Sequence, residues 1–363
     1  MRKGYIRLSK SPQTVPVFFV GKKNGKKRMV QDYRYLNEWT IKNNYPLPLI
    51  SDVLENIGTK KVFTKMDLRW GYNNVRIKEG DEWKAAFTML EGLFEPTVMF
   101  FGLKNSPATF QAMMNELLRD LINTGKVVVF IDDVIVGTET EDHDELVAEV
   151  IKRLEENDLY VKPEKYKWRV REVEFLGVVI GLEGIKMEKK KVKGVLEWPT
   201  PKCVKDIQKF LGLANYYHWF IEGFATVARP LHDLVKKDKR WEWTEKEEKA
   251  FKELKERFTR EPVLAAPDID KKMRMEVDVS DYATGGVLSM ECEDRLWRPV
   301  AFLSKSLNKT ERNYEIYDKE MLAIIRGLKA WRHLLEGVQT KFEIWTDHNN
   351  LEYFMKAQKL NRR

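Results

Sequence analysis

Cysteine is almost missing from this chain: 363 residues carry two, Cys203 and Cys292, far apart in the sequence. That excludes a disulfide framework and a cysteine-ligated zinc cluster, and it suits a reducing compartment. Histidine is nearly as scarce. His143, His218, His232, His333 and His348 show no metal-ligand spacing. His143 falls in an acidic run and reads as solvated, and His348 reads as a hydrogen-bonding neighbour of Asp347. No uncharged apolar run approaches the roughly 18 residues of a membrane span. The basic N-terminal stretch MRKGYIRLSK lacks the apolar core of a signal peptide. Internal repeats and low-complexity tracts are also absent. What is present is 43% hydrophobic and 33% charged, enough apolar material for packed cores. At roughly 100–200 residues per domain, the length predicts two or three domains.

Acidic residues are locally scarce as well. Residues 1–45 hold eleven Lys/Arg and two acids, Asp32 and Glu38, an excess larger than the +8 of the whole chain. A basic patch on a near-neutral body marks a polyanion-binding face, and a solvated tip accounts for the same charges equally well.

Residues 15–20 (VPVFFV) and 28–30 read as strands around the Asn24-Gly25 turn signal, with Lys22, Lys23, Lys26 and Lys27 crowding the tip. A helix near Ile50–Ile57 stops at Gly58, and Val62–Met66 reads as a strand running into Asp67. Thr109–Leu121 has helical apolar spacing, and Val127–Val136 is an apolar run broken only by Asp132-Asp133. Glu145–Leu154 predicts a helix and Phe175–Ile180 a strand. Irregular alternation to about residue 182 suits an α+β domain. From 190 to 268 the pattern is helical. Ile207, Phe210, Leu211, Ala214, Tyr217 and Ile221 trace one face, and Thr244–Glu247 has the form of a capping box. The Pro262–Pro267 stretch resembles a linker. Strands are expected at 273–279, 287–290, 300–303 and 342–346, with a helix over 319–335.

The Asp132-Asp133 pair has two readings. A hairpin turn tolerates aspartate. Alternatively, two carboxylates against apolar walls resist desolvation and repel each other, and a divalent cation relieves both. Asp67 ends a second strand. Three strand-borne aspartates can frame two metals for in-line phosphoryl transfer.

Val62–Ile77, the run Phe101–Gln111 (FGLKNSPATFQ), Phe130-Ile131-Asp132-Asp133 and Phe175-Leu176-Gly177 stand in the order and spacing of a reverse transcriptase. Over almost its whole length the chain resembles the gypsy-type LTR retrotransposon polymerases. Phe130 departs from the usual Tyr-x-Asp-Asp but keeps both carboxylates. The resemblance implies an α+β multidomain fold. A polymerase right hand of fingers and palm (1–185) would be followed by a helical thumb and connection (186–268) and a truncated RNase H-like α/β domain (269–363). It implies RNA-directed DNA polymerase activity with Asp67, Asp132 and Asp133 as metal-binding catalytic residues. Arg28 with Lys22 or Lys23 would contact the incoming triphosphate. Tyr72 would exclude a ribose 2′-hydroxyl, and Phe101 and Gly102 would wall the dNTP pocket. Gln111, Leu176 and Gly177 would lie along the template-primer. Lys165 sits one residue off the position of a general-acid lysine and reads as solvated. The helix over 210–217 (FLGLANYY) carries a family-typical motif; Phe210, Leu211 and Ala214 read as core, as do Trp198, Trp241 and Trp243.

In the second domain, Asp278, Glu320 and Asp347 resemble the carboxylates of ribonuclease H, again with two Mg²⁺ or Mn²⁺ ions. The fourth carboxylate and the closing elements of that fold are not found before Arg363, so weak or no RNase H activity is expected. The first fingers segment is likewise not found, and the whole reads as a piece of a polyprotein with protease and integrase neighbours. The implied partners are an RNA or DNA template with its primer, dNTPs and RNA–DNA hybrid. The implied setting is intracellular, in a cytoplasmic particle or the nucleus, neither secreted nor at a membrane. Two rivals remain: a nucleic-acid-binding relic without catalysis, and an RNA-templated RNA polymerase.

Overall fold

A computed structural model describes residues 4–21, 25, 27–139, 142–237, 239–260 and 263–347. They form two compact units divided between Val173 and Glu174.

The strands of the first unit are β1 (Ile6–Leu8), β2 (Val15–Gly21), β3 (Lys27–Gln31), β4 (Val62–Asp67), β5 (Phe87–Met89), β6 (Gly92–Pro96), β7 (Val127–Phe130), β8 (Asp133–Thr138) and β9 (Lys167–Val170). Its helices are α1 (Arg34–Trp39), α2 (Ile50–Ile57), α3 (Ser106–Leu117), α4 (Arg119–Asn123) and α5 (His143–Glu156). One sheet has the order β1-β6-β5-β2-β3, and the other β7-β8-β4-β9. Valine and isoleucine dominate β7 and β8, whose χ1 stiffness suits a pleated, covered surface. Helices α3 and α5 bring Phe110, Met114, Val147, Val150 and Leu154 into one core with Met66, Val129, Val134 and Val136. The helix expected over 109–121 is two helices, broken at Leu118.

Strand β10 (Glu172–Phe175) crosses the boundary and forms a three-stranded sheet with β11 (Val178–Gly181) and β12 (Gly184–Met187). Helices α6 (Lys189–Leu196), α7 (Val204–Tyr216), α8 (Phe224–Leu234) and α9 (Glu245–Thr259) follow. Strands β13 (Met273–Val279), β14 (Ala283–Glu291), β15 (Trp297–Ser306) and β16 (Glu343–Trp345) form a sheet ordered β15-β14-β13-β16. Helices α10 (Ile316–Ala330) and α11 (Arg332–Leu335) lie between β15 and β16 in sequence. The single helix expected over 319–335 therefore breaks at Trp331. Met273, Met275, Val277, Leu288, Val300, Ala323 and Trp331 make the core under this sheet. Gly327 lets α10 press against β13: a Cβ there would stand 2.5 Å from the Met275 sulfur.

Several expectations meet their physical test here. Ile207, Phe210, Leu211 and Ala214 are buried along α7. Thr244 and Glu247 make both bonds of a capping box at the start of α9. Trp198 packs on Phe210, and Trp243 on Phe251, so these indoles belong to the packing. The linker expectation fails in its described part. Leu264 is completely buried and exchanges backbone hydrogen bonds with Ile185 at 2.8 and 3.0 Å. Ala265 N–H reaches Pro299 O at 2.7 Å. A segment whose backbone is satisfied on both sides is a structural strut, not a tether. His143 is corrected as well: it is completely buried, because a helix N-terminus turns it inward beneath β4 and β8.

Candidate active sites

The first candidate site grows from strand register. Strand β4 pairs antiparallel with β8 so that Asp67 stands opposite Asp133, while β7 and β8 close with Phe130 opposite Asp133. The hairpin loop is therefore Ile131-Asp132, one residue earlier than the aspartate pair suggested. Ile131 takes φ +56°. A two-residue hairpin loop favours positive φ at this position, yet a β-branched residue there is strained.

Gln111 from α3 answers that strain. It is completely buried. Its Oε1 accepts from Ile131 N–H at 2.7 Å, and its Nε2 donates to Val129 O at 3.0 Å and to Asn115 Oδ1 at 2.8 Å. The Gln111 side chain, expected near the template, here holds the hairpin.

The three carboxylates differ in surroundings. Burial raises the Asp132 carboxyl above its ordinary range, reinforced by the charges of Asp133 and Asp67. Burial pushes Asp67 the same way, but hydrogen bonds from Lys162 and Lys165 outweigh it and hold Asp67 low. Lys165 Nζ lies 2.5 Å from Asp67 Oδ2, Lys162 contacts Oδ1, and Lys65 Nζ lies 3.4 Å from Asp133 Oδ2. Lys165 is thus solvent-exposed, as expected, and also ion-paired to Asp67. Sequence reasoning passed over Lys162. No local signal marks it, because its position is set by tertiary pairing: Leu68 bridges Val161, Lys162 N–H bonds Asp67 O at 2.9 Å, and the tight turn over Pro163–Lys165 returns the second amine to the same carboxylate.

Beside the hairpin, the expected triphosphate-pocket residues come together. The Arg28 guanidinium lies 4.5 Å from the Phe101 ring centroid. Phe101 meets Tyr72 at 4.9 Å, and Tyr72 meets Phe110 edge-on at 5.7 Å. Gly102 needs its φ of +98° and faces Tyr33. Lys22 and Lys23 lie outside the described residues.

The second candidate site is in the other unit. Among the described residues, Asp278, Glu320 and Asp347 are the one group of three whose ligand atoms lie within 4.8 Å of one another. Asp278 comes from β13, Glu320 from α10, and Asp347 lies just past β16. Glu320 is buried, and Thr346 donates to its Oε2 at 3.1 Å, a support the sequence did not flag. Three hard oxygen donors at this spacing fit Mg²⁺ or Mn²⁺. The carboxylates of the first site fit a cation by a different criterion, the burial of Asp132 beside the charges of Asp133 and Asp67.

Leu176 and Gly177 form the two-residue loop between β10 and β11 in the second unit, with φ +47° and +83°. No helix among the described residues is long and apolar enough to cross a membrane.

Comparison with known proteins agrees with this geometry. Residues 20–180 match the family described as reverse transcriptase (RNA-dependent DNA polymerase), and residues 243–344 the RNase H-like domain found in reverse transcriptase. The Tf2-3 and Tf2-7 transposon polyproteins of Schizosaccharomyces pombe are each 39% identical over 97% of the chain. The chain spans 26% of the length of these relatives. A foamy viral protease-reverse transcriptase solved with double-stranded DNA shares the fold, with TM-score 0.86 and 24% identity over 98% of this chain and 74% of that one. The same protein solved with an RNA/DNA hybrid gives TM-score 0.82 and 23% identity over 99% of this chain and 49% of that one.

Proposed function

The chain belongs to the reverse transcriptase family, through residues 20–180 and the RNase H-like domain over 243–344, and from that premise we propose that it extends a primer on an RNA or DNA template with dNTPs. The observation that carries this reading is the β4–β8 register, which gathers Asp67, Asp132 and Asp133 at one strand end. Asp132 is the member most in need of a counter-charge, because burial and its two neighbours disfavour its ionised form. Divalent cations bound there, two in this reading, would supply electrostatic stabilisation of the attacking and leaving oxygens.

The protein's own groups do the rest. Asp67, Asp132 and Asp133 would hold the cations. Arg28 offers a planar fork for phosphate oxygens, with Lys22 or Lys23 as a second cation. Tyr72 and Phe101 fill the space beside the sugar, and the wedged Tyr72 ring leaves no room for a 2′-hydroxyl. Lys162 and Lys165 pair with Asp67 and keep its carboxylate ionised. The Leu176–Gly177 turn presents its backbone to the primer. Asp278, Glu320 and Asp347 would bind two further cations beside the RNA strand of a hybrid. The domain reading stays as fingers and palm to about 185, thumb and connection to about 268, then the RNase H-like part. The proposed setting is intracellular, within a polyprotein that also carries a protease and an integrase.

The test is primer extension on poly(rA)/oligo(dT) with dTTP and Mg²⁺ or Mn²⁺. Asp132→Ala is expected to lower incorporation by about a thousandfold or more while template-primer binding stays near the parent's. Incorporation retained by the variant would refute the assignment. A second reading, nucleic-acid binding without catalysis, draws on the engagement of Asp67 by two lysines. It predicts binding by the parent with no extension in either metal.

A further inference from the structure

Helix α7 ends in Tyr216, and Tyr217 caps it. The apolar half of the FLGLANYY motif is explained by the core, but the two hydroxyls are not. Both reach across to a single turn. Tyr216 Oη donates to Leu176 O, and Tyr217 Oη donates to Gly177 O at 2.9 Å. Glu188 N–H reaches the same Gly177 carbonyl at 3.1 Å.

The turn they meet is strained. Two successive positive φ angles are what a tight hairpin loop of this kind requires, and leucine pays sterically for adopting one. A conformation of that sort persists only where its surroundings over-determine it. Here the surroundings are the two phenols. Tyr217 is 1% exposed and is wedged edge-on against Tyr216 at 4.8 Å, with Phe220 and Phe258 each at 6.2 Å. A phenylalanine would fill that pocket equally well, so the hydroxyl is there for the turn. Gly177 is fitted to it in return: a Cβ at 177 would stand 2.6 Å from Tyr217 Oη.

We propose that Tyr216 and Tyr217 are positioning residues, locking the Leu176–Gly177 turn to the end of α7 so that the primer terminus is held in the reactive geometry. This rests on the polymerase reading above, in which that turn faces the primer. Tyr217 is enclosed, while Tyr216 is 41% exposed. They act through the turn's two carbonyls, and turn and helix end move as one piece. A misplacement of about 1 Å at a reacting centre costs on the order of a hundredfold in rate, so a loosened turn is felt in chemistry before it is felt in binding.

The experiment is single-turnover extension of oligo(dT) on poly(rA) at saturating dTTP and Mg²⁺, with the full chain. Tyr216→Phe and Tyr217→Phe are each expected to lower the rate constant by roughly three- to tenfold. Burst amplitude and template-primer Kd should stay at the parent's values. A merely structural role would shrink the folded fraction, and hence the amplitude, without moving the rate constant. Gly177→Ala should also slow the reaction, and by a smaller factor in a Tyr217→Phe background, where the atom its methyl would meet is gone. Parent-like rate constants in both Tyr→Phe variants, with or without loss of amplitude, overturn the lock. Extension by neither parent nor variants removes the polymerase reading and the lock together, so the two failures are distinguishable.

Discussion

His143 sits between two threonine hydroxyls, its Nε2 2.7 Å from Thr64 Oγ1 and its Nδ1 2.9 Å from Thr138 Oγ1. Burial pushes the imidazole below its usual range, against the opposing charge of Asp144 and, more weakly, Asp142. The sign follows. The unfolded chain takes up a proton near pH 6.5 that the folded chain refuses. His143 therefore leaves stability undiminished above that pH and erodes it as pH falls toward the folded-state pKa, with a slope of at most about 1.4 kcal/mol per pH unit. The thermal midpoint is expected to drop between pH 7.5 and 5.5, and to drop less in His143→Gln. Equal drops in the two proteins would dismiss the buried-histidine account. The acidic run around residue 143 could not announce any of this. Charge on the flanking residues says nothing about which way the first residue of a helix points.

At the scale of elements, the β7–β8 hairpin shows what a local pattern does and does not determine. A run of valine and isoleucine interrupted by two aspartates announces a hairpin. Its closing residues depend on pairing with β4, and so does the shift of the turn from Asp132-Asp133 to Ile131-Asp132. Gln111 is the device that makes that register tolerable. Gln111→Ala leaves the Ile131 amide and the Val129 carbonyl without their partner in a closed space, at a cost of roughly 1–3 kcal/mol. The expected result is a lower urea midpoint together with a fall in kcat larger than any change in the KM for dTTP. A shift in KM alone would mean that Gln111 reaches substrate after all. In the second unit, the helix broken at Trp331 and the buried segment at Leu264 teach the same lesson. Apolar spacing locates a helix, and proline suggests a linker, but tertiary contacts decide where each ends and whether it is free.

At the scale of the whole molecule, the two carboxylate sets belong to different compact units, and their metal demands should separate. Glu320→Gln removes a buried ligand between Asp278 and Asp347. Calorimetric titration with Mn²⁺ is expected to lose binding at that centre, while primer extension stays within about twofold of the parent because the β4–β8 strand end is untouched. Loss of extension in this variant would tie the two centres together.

The sequence by itself determined the residue types that carry chemistry and their order: three aspartates on short apolar strands, an aromatic and an arginine near them, and a second acidic set on strand, helix and strand end. These are legible because hydrophobic periodicity marks strands and helices locally, and carboxylates at their ends stand out against it. Tertiary structure alone decided which groups share a site. The lysines on Asp67, the enclosure of Gln111 and His143, and the tyrosines on the Leu176–Gly177 turn all join residues far apart in sequence. The physical reason is that hydrogen bonding and desolvation act across space between elements. A chain read residue by residue shows the partners but not their meeting.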